Sequence, residues 1–208
     1  VKTGVATVLF LLLLSPAAGR AEEYRAYEST AASVNGEVLF VSDVLREACF
    51  LGCAAMPGTG AEILSPREAR DRLILDTLAL QEQRKLLLGS VDNAALERDA
   101  REAEASMAAC PAPCSREISP GETREWIRRQ LLLRDFFNRR VAVFVEVKAD
   151  EVRKEVARRA SAPGAGAKPA WEQVRDELHS ERVAQAIRNW QSRAASKSRL
   201  ILSPMEDR

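Results

Sequence analysis

Two four-residue stretches constrain this chain more than any other feature: Ser65-Pro66-Arg67-Glu68 and Ser119-Pro120-Gly121-Glu122. In each, the serine hydroxyl can accept a hydrogen bond from a free N–H of the first helical turn. Proline sits where no N–H is needed, and the glutamate three residues after the serine can reach back to the serine N–H. The spacing predicts two helices with fixed starts. The first runs to about Leu88, where Gly89 stops it, and carries Leu73, Ile74, Leu78 and Leu80 on a broad apolar face. The second runs through about Asn138 with Trp126, Ile127, Leu131, Leu133, Phe136 and Phe137 as its apolar residues. Between them Asp92 opens a third helix to about Ala108, whose thin apolar stripe predicts a peripheral position.

Ala, Leu, Arg and Glu dominate the remainder, which makes the chain mainly α with a few short strands. Ala32 to Phe40 reads as a two-stranded ribbon, because Asn35-Gly36 tolerates the positive φ angles of a tight hairpin. Ser42, helped by Asp43, is expected to cap a short helix through Cys49. Val141 to Val147 reads as a short strand or extended connector, and Asp150 to Arg159 as a helix. The small residues from Ser161 to Ala167 cannot bury a core and read as a flexible linker. A long amphipathic helix follows, marked by Trp171, Val174, Leu178, Val183, Ile187 and Trp190. Leu200-Ile201-Leu202 is then a strand able to pair with the N-terminal ribbon.

The first residues read as an address rather than a fold element. Lys2 gives a positive start, Val5 to Leu14 is an apolar run of about ten residues, and Pro16 to Gly19 form a small-residue exit. Residues 1–21 are therefore expected to be a cleavable export signal, with cleavage after Gly19 or Ala21. The run is shorter than the roughly 20 residues of a bilayer span, which speaks against a stable span, although Arg20 leaves room for an uncleaved anchor. Lys plus Arg number 31 and Asp plus Glu 30, so overall charge gives no case for nucleic acid or an anionic membrane as partner.

Export gives the four cysteines a meaning. They form two pairs of equal spacing, Cys49-Phe-Leu-Gly-Cys53 and Cys110-Pro-Ala-Pro-Cys114. In an oxidising compartment an even number points to two disulfides, of which three connectivities are open. Local pairing needs a non-helical turn, which Pro111 and Pro113 favour for Cys110 and Cys114; cross-pairing would pin two distant loops together. Four thiolates binding zinc, or one pair exchanging disulfides, are the competing readings.

The order of elements resembles a known family. Val34-Asn35-Gly36-Glu37-Val38 with Ser42-Asp43, then Arg72 to Leu78 leading to Gln81-Glu82, then Ile127 to Leu133, then Asp150-Glu151-Val152, is similar to the N-terminal chaperone module of the SurA family of periplasmic foldases. Trp171 to Leu178, the helix on to Trp190 and Leu200-Ile201-Leu202 look like that family's closing helix and strand. The resemblance implies a SurA N-terminal-like helical module (the peptide-binding fold shared with the trigger-factor C-terminal domain) over residues 22–160. It also implies a linker at 161–169, where relatives carry parvulin isomerase domains, and a closing segment at 170–208 packed back on the module. A parvulin domain needs roughly 90 residues, as a small single domain does. The linker is far shorter, and the single histidine, His179, stands where parvulin sites typically use a pair.

The resemblance therefore implies a periplasmic binder of unfolded polypeptide, outer-membrane proteins above all, and no isomerase activity. No catalytic, cofactor or metal-binding residue is assigned, and His179 is expected to be a solvent-facing helix residue. Trp126, Phe136, Phe137, Trp171 and Trp190 are the candidates to line a peptide groove, although aromatic residues at helical spacing more often fill a core. An exported structural or assembly subunit is the second reading, with a redox or zinc protein behind it. A homodimer formed by exchange of the closing helix is open to a chain with such a linker.

Overall fold

A computed structural model of the chain describes residues 28–54, 64–87, 90–161 and 170–204. The expected export signal at 1–21, Gly89 and all of the expected linker except Ser161 lie outside the described residues. The protein is mainly helical with one small antiparallel sheet.

The sheet begins as a hairpin of β1 (Thr30–Val34) and β2 (Glu37–Phe40). Asn35 and Gly36 form the turn at φ 54° and 92°, the positive pair that a two-residue turn with matching twist requires. β3 (Leu200–Leu202) adds to the other side of β1, giving the order β2-β1-β3 with Ala32 opposite both Leu39 and Leu202. The first and last strands among the described residues thus meet in one sheet, as the apolar triplet at 200–202 predicts. Asn35 ties this junction, accepting from the Arg199 N–H at 2.9 Å and donating to Gln81 at 2.8 Å.

α1 (Val41–Cys53) follows β2 with no loop. Ser42 is not its cap, because strand runs straight into helix and the first residue outside α1 is Phe40. The Asp43 carboxylate supplies the cap, accepting from the Phe40 N–H at 2.9 Å. α1 also outruns the expected end at Cys49 by a full turn, since Cys53 is held in register with Cys49 on the same face. α2 (Pro66–Leu86) and α4 (Pro120–Arg140) start where the Ser-Pro signatures put them. Ser65 Oγ accepts from the Glu68 N–H and Ser119 Oγ from the Glu122 N–H, each at 3.3 Å, while the two glutamates accept from the serine N–H groups at 2.9 and 2.8 Å. α2 stops at Leu87, which turns left-handed at φ 51° without being glycine and stands 91% exposed. α3 (Asn93–Ala109) is capped by Asp92 and buries only Leu96, Ala100, Ala103 and Met107.

Cys110 to Glu117 fold around a short 3-10 turn. After α4, Val141–Val147 forms no strand; a second 3-10 turn at Ala142–Phe144 leads into extended chain. α5 (Ala149–Ala160) and α6 (Trp171–Ser196) pair through Val152, Val156 and Val174. Arg182 of α6 reaches Glu151 at 2.8 Å, and this bond first, then that of the Lys148 N–H, pulls the Glu151 carboxyl down to about 2. α6 then packs its later half on the N-terminal elements, with Trp190 against α4 and Ala194 and Ala195 against the core of β1, β2, α1 and α2. α6 and β3 thus both pack on the earlier elements of the chain.

Candidate functional site: an apolar groove beside a disulfide ladder

Cys49 and Cys53 stand one turn apart on the inner face of α1. Across from them, the 3-10 turn at Pro113–Arg116 brings Cys114 back towards α1 after Cys110. The bonds are Cys49–Cys114 and Cys53–Cys110, with Cα separations of 6.1 and 5.4 Å. Of the three open connectivities, the structure takes a nested cross-pairing: two rungs of a ladder between α1 and the segment after α3. The prolines serve not to close a local loop but to stop α3 and fold both cysteines onto one partner helix. The sulfurs of Cys49, Cys53 and Cys114 lie within 4.8 Å of one another, close enough for thiolates to share a metal ion. In the disulfide state each sulfur is committed to its S–S bond.

The ladder belongs to a small core with Phe50, Met107 and Trp126. Trp126 stacks on Phe50 at a ring separation of 5.0 Å and 13° between planes. Its indole Nε1 donates to Glu47 Oε2 at 3.1 Å, so Glu47, only 1% exposed, fixes the ring's orientation. Arg129 closes an ion pair with the same carboxylate, and Arg72 approaches it at 3.9 Å. Asp76, 6% exposed, lies one step further in at 3.9 Å from Arg72. Burial pushes the Asp76 carboxyl up to about 6, against the opposing pull of Arg72. Two acids and two arginines thus sit between α1, α2 and α4 as a polar seam, with Glu47 Oε1 and Asp76 Oδ2 accepting no hydrogen bond.

Trp126 is also a wall between two cavities. On one side a groove of about 580 Å³ lies between β2, α1, α2 and α4, with Val38, Leu39, Phe50, Leu73, Leu80 and Leu132 among its apolar lining. Glu37, Asp43, Arg46, Glu122 and Glu125 add charge to that lining. On the other side a cavity of about 400 Å³ is lined by Leu51, Ala54, Ala103, Ile127 and Leu131 with Arg72, Gln130 and Arg134. β2, whose residues line the groove, is an outer strand of the sheet, and Val38 is 43% exposed.

The five aromatic residues nominated from sequence do not line one groove. Trp126 alone reaches the groove. Phe136 is fully buried, and with Phe137 and Trp190 it forms an aromatic knot at ring separations of 5.2 to 5.4 Å that fastens α6 to α4. Trp171 stands 36% exposed at the start of α6. The aliphatic lining residues were not singled out from sequence, because a leucine that lines a groove reads like one that fills a core. His179 is half-buried on α6 and belongs to no metal-capable group among the described residues. No helix of the described residues is long and apolar enough to cross a membrane. No protein-family model matches the chain, and no curated protein matches it.

Proposed function

We propose that the chain is a chaperone-like binder of unfolded, extended polypeptide, acting in the periplasm on proteins such as those bound for the outer membrane, without prolyl isomerase activity. The observation that carries the reading is the groove lined by both β2 and Trp126. An outer strand has backbone N–H and C=O groups free on one side, and an extended client can pair with them while its side chains enter the apolar groove. Such recognition asks little of client sequence, which suits a binder of many unfolded chains.

Two further features support it. The closing helix and strand pack on the N-terminal elements, as expected for a SurA-like module with no intervening domain. The ladder and the polar seam hold the groove walls without filling the groove.

The test is aggregation of a urea-unfolded outer-membrane β-barrel protein on dilution, with and without the purified chain. Suppression at a few-fold excess is expected, and Val38→Glu, an exposed groove position, should weaken it severalfold without changing the melting curve. A folded chain that leaves aggregation unchanged at that excess would exclude the reading.

A further inference from the structure

The overall charge balance hides a segregation. Between the ends of α2, α4 and α6 lies a cleft of about 790 Å³ lined by Arg84, Lys85, Arg140, Arg193 and Lys197, with Glu82 as the one carboxylate in its lining among the described residues. Arg84 is taken by Glu37 at 2.7 Å, and Lys85 stands 4.0 Å from Glu82. Arg140, Arg193 and Lys197 form no ion pair among the described residues. They gather because α2, α4 and α6 each end in basic residues, which their C-terminal dipoles favour, and the packing brings those ends together.

A second hollow of about 340 Å³ shares Arg140, Trp190 and Arg193 with the cleft and continues over Val141, Phe144 and Val145. Here the 3-10 turn after α4 holds Phe144 at 75% and Val143 at 68% exposure. These two neighbouring apolar side chains form an exposed apolar patch beside unpaired guanidinium groups. Together they match a layered partner, with anionic headgroups over the cations and hydrocarbon beside the apolar turn.

We infer that this end of the molecule docks on the surface of an anionic phospholipid bilayer, with Arg140, Arg193 and Lys197 meeting headgroup phosphates and Phe144 and Val143 entering the acyl boundary. Aromatic rings settle at that depth, and basic side chains gain from the negative surface potential. Single-stranded nucleic acid also pairs cations with aromatic rings, but a base-stacking platform takes successive rings, and here Phe144 stands alone between Val143 and Val145. The contact is peripheral and separate from the groove at Trp126, so it stands whether or not the chaperone reading does.

Co-sedimentation with vesicles in which about a third of the lipid is phosphatidylglycerol tests it, with pure phosphatidylcholine vesicles as reference. Binding to the anionic vesicles is expected, weakening as salt rises above about 0.1 M. Each cation at such a surface contributes about fivefold, so Arg140→Gln with Arg193→Gln should weaken partitioning roughly 25-fold. Phe144→Ser should weaken it too, with the melting curve of each variant showing that it is folded. Equal partitioning to both vesicle types, or a folded double variant that binds like the parent, would overturn the inference. So would binding of soluble glycerol phosphate or a single-stranded oligonucleotide by these cations without binding to the anionic vesicles.

Discussion

The nested disulfides make a prediction about non-additivity. Cys49–Cys114 spans 65 residues and Cys53–Cys110 spans 57, so either bond formed first in an unfolded chain closes a loop whose lost entropy is worth about 4 kcal/mol. The second bond then closes a much smaller ring. Its path runs only from Cys53 back to Cys49, across the bond and from Cys114 to Cys110, about ten residues in all, worth about 2.7 kcal/mol. Removing either rung alone, as Cys49→Ala with Cys114→Ala or Cys53→Ala with Cys110→Ala, should therefore cost about 2.7 kcal/mol. Removing both should cost about 7 kcal/mol, more than the sum of the two single losses and comparable to the whole stability of an ordinary domain.

Urea unfolding of the parent and the three variants measures this directly. Trypsin without reduction separates cross-pairing from local pairing independently, because no lysine or arginine lies between Cys49 and Cys53 or between Cys110 and Cys114. The ladder must give one linked pair of peptides, and the two single-rung variants must each still give it. Four free thiols in the denatured protein, separate internally bridged peptides, or rung losses of about 4 kcal/mol each that simply add would refute the nested pairing.

Two further perturbations follow from local chemistry. Asp76 has its carboxyl raised from 3.8 to about 6, so the folded state binds a proton more readily than the unfolded chain. This stabilisation is complete below about pH 4 and lost as pH rises through 6. Asp76→Asn should remove that slope, leaving the variant about 2 to 3 kcal/mol more stable than the parent at pH 7 relative to their difference at pH 3.5, as denaturant midpoints across that range would show. Ser119→Ala deletes the hydroxyl that caps α4 and should cost about 1 kcal/mol, read as a lower melting temperature; no change would mean that Glu122 alone secures the helix start.

What could be foreseen divides by the range of the forces involved. Helix starts at Ser65, Asp92 and Ser119 and the turn at Asn35-Gly36 depend on residues within a few positions of one another, and the structure places them as expected. Ser42 misled because an N-cap residue must stand just outside its helix, and the direct passage of β2 into α1 puts Ser42 inside, leaving Asp43 to reach back to the Phe40 N–H. Val141 to Val147 looked β-branched enough for a strand, but a strand needs a partner and both free sheet edges lie elsewhere. The disulfide register needed α1 to persist to Cys53 and the segment after α3 to fold back across it, a relation over some sixty residues. The basic cleft was invisible for a similar reason: 31 cations and 30 anions cancel in a count, and only packing separates them.

The groove illustrates why the lining of a site is harder to foresee than its supports. Phe50 lies on α1 between the two ladder cysteines and stacks on Trp126, whose indole N–H donates to the buried Glu47 carboxylate. The ring that separates groove from cavity is therefore held from α1 on both counts, by an apolar face and by an acceptor. α1 is itself fastened to the segment before α4 by two covalent bonds, and Trp126 rides on α4. Wall and ladder are one mechanical unit, so opening the ladder should free the distance between α1 and α4 before it disturbs the sheet or the aromatic knot of α6. The proposed binding of extended chains profits from that division, because walls fixed by covalent bonds need less ordering when a chain enters the groove.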